Sequence, residues 1–211
     1  MELISYIYSL FSRGGLVMWP LLLCSVIVVA IVLERGIYFR NVKTDVKALF
    51  IVLDEQLKTG DLEKVRESCE NVKGVPAEIL AKALTYQFDD SLQLEKIFDG
   101  LATMAVSDLK YRLDYLETIV TLAPLLGLLG TVTGMIQSFS VLTIKSGQPL
   151  AITGGIGEAL IATATGLCIA ILALIVHSYF SHRVNSIISD IERVTNVVLS
   201  TIPWRKPYAA Q

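Results

Sequence analysis

Three side chains in the apolar parts of this sequence have the chemistry to act on protons or water. Thr131 and Thr163 carry hydroxyls that can both donate and accept hydrogen bonds, which suits a relay. Glu158 is the one acid inside these apolar segments and lies about one turn into the third of them. Together they predict a polar path. The path would still lack a proton-carrying acid at mid-depth, because His177 lies at the inner end of the third segment.

The same segments permit a second interpretation, in which they only pack helices together. Small residues let helix backbones approach closely in a membrane, and threonine hydroxyls can bond back to their own helix. The residues predicted to pack helices are Gly127, Gly130, Gly134, Gly155, Ala159 and Gly166. Under this interpretation Glu158 is a solvated side chain at a helix start, where the helix N-terminus favours its ionised form. The pattern by itself leaves both interpretations open.

The apolar residues are concentrated in three blocks. Of the 211 residues 53% are hydrophobic and 18% are charged, and the mean hydropathy is +0.59. The blocks are 16–33, 119–142 and 156–178, each near the roughly 20 residues that a helix needs to cross a bilayer. The first runs into Glu34 and Arg35 without a cleavage site, so we predict a retained span. The sequence therefore predicts an all-α integral membrane protein with three transmembrane helices.

Lysine and arginine near the span ends predict the orientation. Arg13 alone precedes the first span, and Lys145 alone lies between the second and the third. The other flanking cations follow the first span, precede the second or follow the third: Arg35, Arg40, Lys43, Lys47, Lys110, Arg112, Arg183 and Arg193. The bias predicts that 34–118 and 179–211 are cytoplasmic. The short N-terminus 1–15 and the loop 143–155 are predicted to lie outside.

The long 34–118 segment is predicted to be a helical domain. Apolar residues recur at helical spacing across 42–57. A helical pattern runs from Leu92 to Leu142 with no proline except Pro124, which predicts that the second span is the membrane end of one long helix. The apolar stripe within 184–198 is predicted to pack against the 92–118 extension.

Composition and motifs exclude several classes of protein. The net charge of -2 excludes a polyphosphate-binding basic surface. Cys24, Cys69 and Cys168 have no metal-ligand spacing and are predicted to be small buried hydrophobes. Metalloprotease, serine-hydrolase and phosphate-loop motifs are absent from the sequence. We therefore expect no enzyme activity, no cofactor, no metal and no nucleic-acid partner. We expect membrane lipids to surround the protein.

Two motif stretches are specific enough to carry a resemblance. They are APLLGLLGTVTGM (123–135) in the second span and GIGEALIATATGL (155–167) at the third. With three spans and a large segment between the first two, the chain resembles the MotA/TolQ/ExbB proton-channel family. Because four-span flagellar stator subunits are longer and differently arranged, the resemblance is to the ExbB/TolQ branch.

The resemblance implies a bacterial inner-membrane protein with a periplasmic N-terminus, whose copies form a pentameric ring around a dimer of single-span ExbD- or TolR-type partners. The partner's membrane aspartate would carry the proton, and the ring threonines Thr131 and Thr163 would surround it. Glu158 matches the family's acid at the start of the third span. Proton motive force would then do work on a TonB- or TolA-type protein for outer-membrane transport. Thr133 departs from the pattern, because relatives often have a bulkier side chain there.

The sequence is compatible with other functions as well. One is a TolQ-type role in cell-envelope integrity. Another is a structural membrane scaffold, and a third is a small-solute transporter, although the internal repeats or discontinuous helices of transporters are not visible. The small-residue faces of the second and third spans have no evident partner in so small a bundle. A homo-oligomer is therefore predicted, with the pentamer favoured by the resemblance.

Overall fold

The computed structural model describes residues 15–41, 49–51, 53, 56, 62–144 and 149–202, with side chains in all but 41, 141–144 and 149–153. The helices with given bounds are α1 (Met18–Asn41), α2 (Leu62–Glu70), α3 (Val75–Ala83), α4 (Ser91–Lys110), α5 (Leu113–Ile144) and α6 (Pro149–Thr201). No strand occurs among the described residues. The all-α prediction is confirmed.

Three helices are long and apolar enough to cross a membrane. Their candidate spans are Met18–Arg40, Leu113–Ser140 and Gly154–Thr201, and they contain the larger part of each predicted block. Pro124 lies inside α5 without ending it, as membrane helices tolerate when neighbouring groups satisfy the freed backbone. The prediction of three membrane-spanning helices is confirmed. α6 begins at Pro149, within the predicted loop, where proline suits a first helical turn.

The second span belongs to a long helix, as predicted, but the predicted continuity of that helix from Leu92 is wrong. α4 ends at Lys110 and α5 begins at Leu113. The side chain of Arg35 is buried and donates from Nη2 to the carbonyl of Asp108 at 3.4 Å, in the last turn of α4. The sequence has neither proline nor glycine at this break. The break instead coincides with the contact from Arg35, a residue distant along the chain.

The chain divides into two compact units, which we call unit 1 (1–34 and 112–179) and unit 2 (35–111 and 180–211). The fully buried residues of unit 1 include Leu116, Ala123 and Ala173, so small side chains contribute much of its interior. Many large apolar side chains of unit 1 are exposed, among them Leu125, Leu128, Ile136, Leu172 and Ile175. Such a surface suits lipid or other membrane chains as its surroundings.

Unit 2 has a conventional hydrophobic core. Leu94 and Phe98 of α4 are buried in one cluster with Ile191, Val194 and Val198 of α6. The predicted packing of the 184–198 stripe against the 92–118 extension is confirmed for these residues. Leu49 and Leu53 from the predicted 42–57 stripe are also fully buried in this cluster, which further includes Val65, Cys69, Ala77 and Leu80.

Two of the three cysteines are buried, as the sequence predicts. Cys24 and Cys69 are buried, whereas Cys168 is exposed on α6, so the prediction is wrong for Cys168 in the isolated chain. Burial raises the pKa of the Cys69 thiol to about 11, because desolvation disfavours the thiolate. Cys69 therefore stays neutral at physiological pH and serves as a small apolar core residue.

Candidate functional site

α5 and α6 pack against each other in unit 1 along a line of small residues, here called the small-residue seam. Its residues on α5 are Ala123, Gly127, Gly130, Gly134 and Ser138, and on α6 they are Gly155, Ala159, Ala162, Thr163 and Gly166. Gly166 lies against Ala123 near one end, and Gly155 lies against Ser138 near the other. The two helices therefore run antiparallel, as consecutive membrane spans with a short connection must.

The glycines of the seam are in places where a side chain would not fit. A Cβ on Gly166 would lie 2.5 Å from the carbonyl oxygen of Ala123. One on Gly130 would lie 2.5 Å from the Cβ of Ala162. Real Cβ atoms do not approach other heavy atoms so closely, so α5 and α6 can keep this separation only with glycine here. Close backbone approach of this kind is the usual source of helix association in a membrane.

Thr163 bridges the two helices near the middle of the seam. Its Oγ1 donates to the carbonyl oxygen of Gly127 at 2.9 Å. A Cβ on Gly127 would lie 3.0 Å from the Cα of Thr163, so the helices approach closely at this point. An interhelical hydrogen bond of this type contributes about 0.6 kcal/mol on average in a membrane protein. Thr163 therefore has a packing role in addition to any role on a polar path.

Thr131 is bonded within its own helix. Its Oγ1 donates to the carbonyl oxygen of Leu128 at 2.7 Å, and its side chain is half-buried. Thr131 is one turn beyond Gly127, the residue level with Thr163, so the two threonines are about 6 Å apart in depth at the helical rise. Thr133 is exposed and donates to the carbonyls of Leu129 and Gly130.

Both candidate hydroxyls thus direct their single proton to a backbone carbonyl. In this arrangement the lone pairs of Thr131 and Thr163 remain able to accept a hydrogen bond, for example from a protonated acid or from water. To stabilise an ionised carboxylate, a hydroxyl must instead rotate and donate to it. These threonine hydroxyls can therefore hydrogen-bond to an acid in either protonation state, because each can rotate about one side-chain bond.

Glu158 lies apart from this pair. Its carboxyl group is against Gly15, three residues before α1 begins. On α6, Glu158 and Thr163 are five residues apart, which places them about 140° apart around the helix at roughly 100° per residue. The structure therefore places Thr163 at the α5–α6 seam, Thr131 one turn beyond Gly127 on α5, and Glu158 against Gly15.

Four residues of this region were not identified from the sequence. Ser138 is buried, and its Oγ donates to the carbonyl oxygen of Gly134 at 2.9 Å. Ala123 and Ala162 are buried at the seam as well. The spacing of Gly130, Gly134 and Ser138 is a signal that could have identified Ser138. No sequence pattern marks Gly15.

The seam bears on how copies of the chain assemble. The small-residue faces of α5 and α6 contact each other within one chain. They do not by themselves require a second copy, so a homo-oligomer has to be supported by other observations. Within the described part of the chain, no group of three His, Cys, Asp or Glu side chains lies close enough to hold a metal ion.

The comparisons with known proteins agree with this architecture. A model of the MotA/TolQ/ExbB proton channel family matches residues 71–193. A Synechocystis protein named ExbB-like 1 is 37% identical over 172 residues, which cover 79% of this chain and 67% of that protein. Biopolymer transport protein ExbB of Salmonella typhimurium is 29% identical over 81% of this chain and 73% of its own length.

A relative named TolQ matches a shorter stretch of this chain. Tol-Pal system protein TolQ of Haemophilus influenzae is 40% identical over 86 residues, which cover 40% of this chain and 38% of that protein. The family match covers the small-residue seam and both motif stretches, on a fold with three helices long enough to span a membrane. This chain is therefore a multi-pass membrane protein that belongs to the MotA/TolQ/ExbB proton channel family, in its ExbB/TolQ branch.

Proposed function

We propose that this chain is the ring subunit of an inner-membrane proton channel that converts proton motive force into mechanical work. The observation that carries the proposal is that Thr163 lies at the α5–α6 seam against Gly127, with Thr131 about one turn further along α5. The spans have no Asp, Glu or His at this depth. The site therefore has hydroxyls suited to a titrating acid but lacks the acid.

A second chain supplies the acid in this proposal. A single-span ExbD- or TolR-type dimer enters the centre of a pentameric ring of this chain and places an aspartate beside the threonines. An ionised carboxylate in hydrocarbon is costly unless it is hydrogen-bonded or hydrated, and the ring hydroxyls provide those bonds. The exposed apolar surface of unit 1 supports an assembly with other membrane chains and lipid.

The energy available suits mechanical work. One charge that moves through 100 mV releases about 2.3 kcal/mol, so several protons could drive rotation of one component within the other. The work acts on a TonB-type protein for outer-membrane transport. The relatives named ExbB support this choice, and the relative named TolQ supports a TolA-type partner and a role in envelope integrity as the second candidate.

A structural scaffold is the alternative from a different class. The observation that favours it is that both candidate hydroxyls donate to backbone carbonyls, as packing threonines do. The two functions differ in proton flux. With an ExbD- or TolR-type partner in vesicles that contain a pH-sensitive dye, a potassium diffusion potential should acidify the lumen if the chain conducts protons, and should leave its pH unchanged if the chain is a scaffold.

Glu158→Ala tests the proposed role of that acid at the outer end of the path. We expect the variant to assemble and to bind the partner, but to lose most of the dye response, because the group that attracts protons to the mouth is gone. Co-purification with the partner checks assembly in the same sample. A normal proton flux in Glu158→Ala would show that this carboxyl is only an interfacial side chain.

The orientation is proposed from the charge bias. Unit 2 then lies in the cytoplasm, and the N-terminus and the 143–155 connection lie in the periplasm. In a cysteine-free background, Lys145→Cys should react with a membrane-impermeant maleimide in intact spheroplasts, and Lys64→Cys should react only after lysis. Labelling of Lys64→Cys in intact spheroplasts would contradict the proposed orientation.

A further inference from the structure

Gly15 lies directly against the carboxyl group of Glu158. A Cβ built on Gly15 would overlap Oε1 of Glu158 and would lie 3.3 Å from its Cδ and 3.8 Å from its Cγ. Gly15 also has a φ of +71°, in the left-handed region that favours glycine. The backbone conformation therefore disfavours a side chain at this position, and a Cβ there would also displace the Glu158 carboxyl, which is the far end of a flexible side chain.

The backbone at Gly15 leads into the first turn of α1. The carbonyl of Gly15 accepts from the amide of Met18 at 3.2 Å, and the carbonyl of Leu16 accepts from the amide of Trp19 at 3.3 Å. The start of a helix carries a partial positive charge, because the dipoles of its peptide groups are aligned. The Glu158 carboxyl thus lies at the end of α1 where a negative charge is favoured.

We infer that Gly15 is a positioning residue for Glu158. By having no side chain, it leaves the space in which the Glu158 carboxyl rests against the start of α1. The inference rests on the proposed role of Glu158 at the outer end of the proton path, and it makes α1 the element that determines where this group lies.

Gly15→Ala adds a Cβ in a backbone conformation that favours glycine. It should lower the apparent unfolding temperature of the purified protein by about 5 °C, mainly through backbone strain, because the Glu158 carboxyl at the end of its flexible side chain can shift. Gly15→Asn adds the same Cβ with less strain, since asparagine tolerates a positive φ. Should Gly15→Ala fail to accumulate in the membrane, the displacement of the carboxyl is measured in Gly15→Asn.

A second readout reports on the carboxyl itself. A hydrophobic carbodiimide modifies carboxyl groups, and mass spectrometry of the Glu158 peptide gives the rate. In Gly15→Ala the displaced carboxyl should react roughly two- to tenfold faster, as expected for coupling between contacting groups. Gly157→Ala is the matched control. Gly157 precedes Glu158 in sequence, and a Cβ there meets nothing within 4 Å, so neither readout should worsen.

An unchanged rate of Glu158 labelling in Gly15→Ala and in Gly15→Asn would overturn the inference. That result would show that Gly15 serves only the backbone at the start of α1. Neither readout requires proton transport. The inference can therefore fail while the proposed channel function stands, and a loss of the channel function would leave both measurements interpretable.

Discussion

The double variant Thr131→Val/Thr163→Val is expected to assemble normally and to lose nearly all proton-coupled activity. Valine has nearly the size of threonine but no hydroxyl, so the change removes polarity and keeps the packing volume. A hydrogen bond to a charged group contributes about 1.5–3 kcal/mol. Each single variant should therefore reduce the proton flux about tenfold or more, measured by the dye response of vesicles with the partner.

The structure predicts a difference between the two single variants. Thr163→Val removes the interhelical bond to the carbonyl of Gly127, whereas Thr131→Val removes only a bond within α5. Thr163→Val alone should therefore lower the unfolding temperature slightly. Thr121→Val is the matched control, because Thr121 is exposed on α5 and donates to the carbonyl of Thr118 at 2.9 Å. Wild-type proton flux in the double variant would contradict the proposed path and would identify the threonines as packing residues.

Gly166→Leu is expected to disrupt the α5–α6 pair more than any other single substitution at the seam. The first side-chain atom alone would lie 2.5 Å from the backbone oxygen of Ala123, which cannot move aside as a flexible side chain could. Overpacking costs about 1–3 kcal/mol even where neighbours can adjust, so this variant should exceed that range. Thermal unfolding in detergent should show a large loss of stability or no folded protein at all.

Two further glycine variants separate folding of the chain from assembly. Gly130→Leu meets the Cβ of Ala162 in the same chain, so it should destabilise the isolated subunit before it affects any oligomer. Gly157→Leu is the control, because a Cβ at that position meets nothing within 4 Å in the chain. A Gly130→Leu subunit with wild-type stability and weakened oligomers in native mass spectrometry would show that the seam contacts another copy.

The sequence determined the three spans and the helical fold class by itself. A membrane excludes unpaired backbone polar groups, so long uncharged segments must become helices wherever they occur. The pattern of residues is sufficient for this, because the solvent acts on each segment separately. The apolar stripe of 184–198 and its packing in unit 2 were predictable for a similar reason, since apolar residues at helical spacing must find a buried surface.

The sequence also identified candidate site residues that the structure places at or near the seam. Thr131, Thr163 and the glycines stand out because small and polar residues are unusual in a membrane span and need a reason to be there. Their role could not be obtained in the same way. A threonine that packs and a threonine that relays have the same composition and spacing, and they differ only in what their hydroxyls contact.

Only the tertiary structure decided which residues meet. The break between Lys110 and Leu113 has no proline or glycine to signal it, and Arg35 contacts the last turn of α4 from far away in sequence. The pairing of Thr163 with Gly127 and the contact between Glu158 and Gly15 depend on how neighbouring helices are rotated and shifted along their axes. Helical periodicity gives the face on which a residue lies but not the partner opposite that face. The partner is determined by close packing between segments that are far apart in the chain.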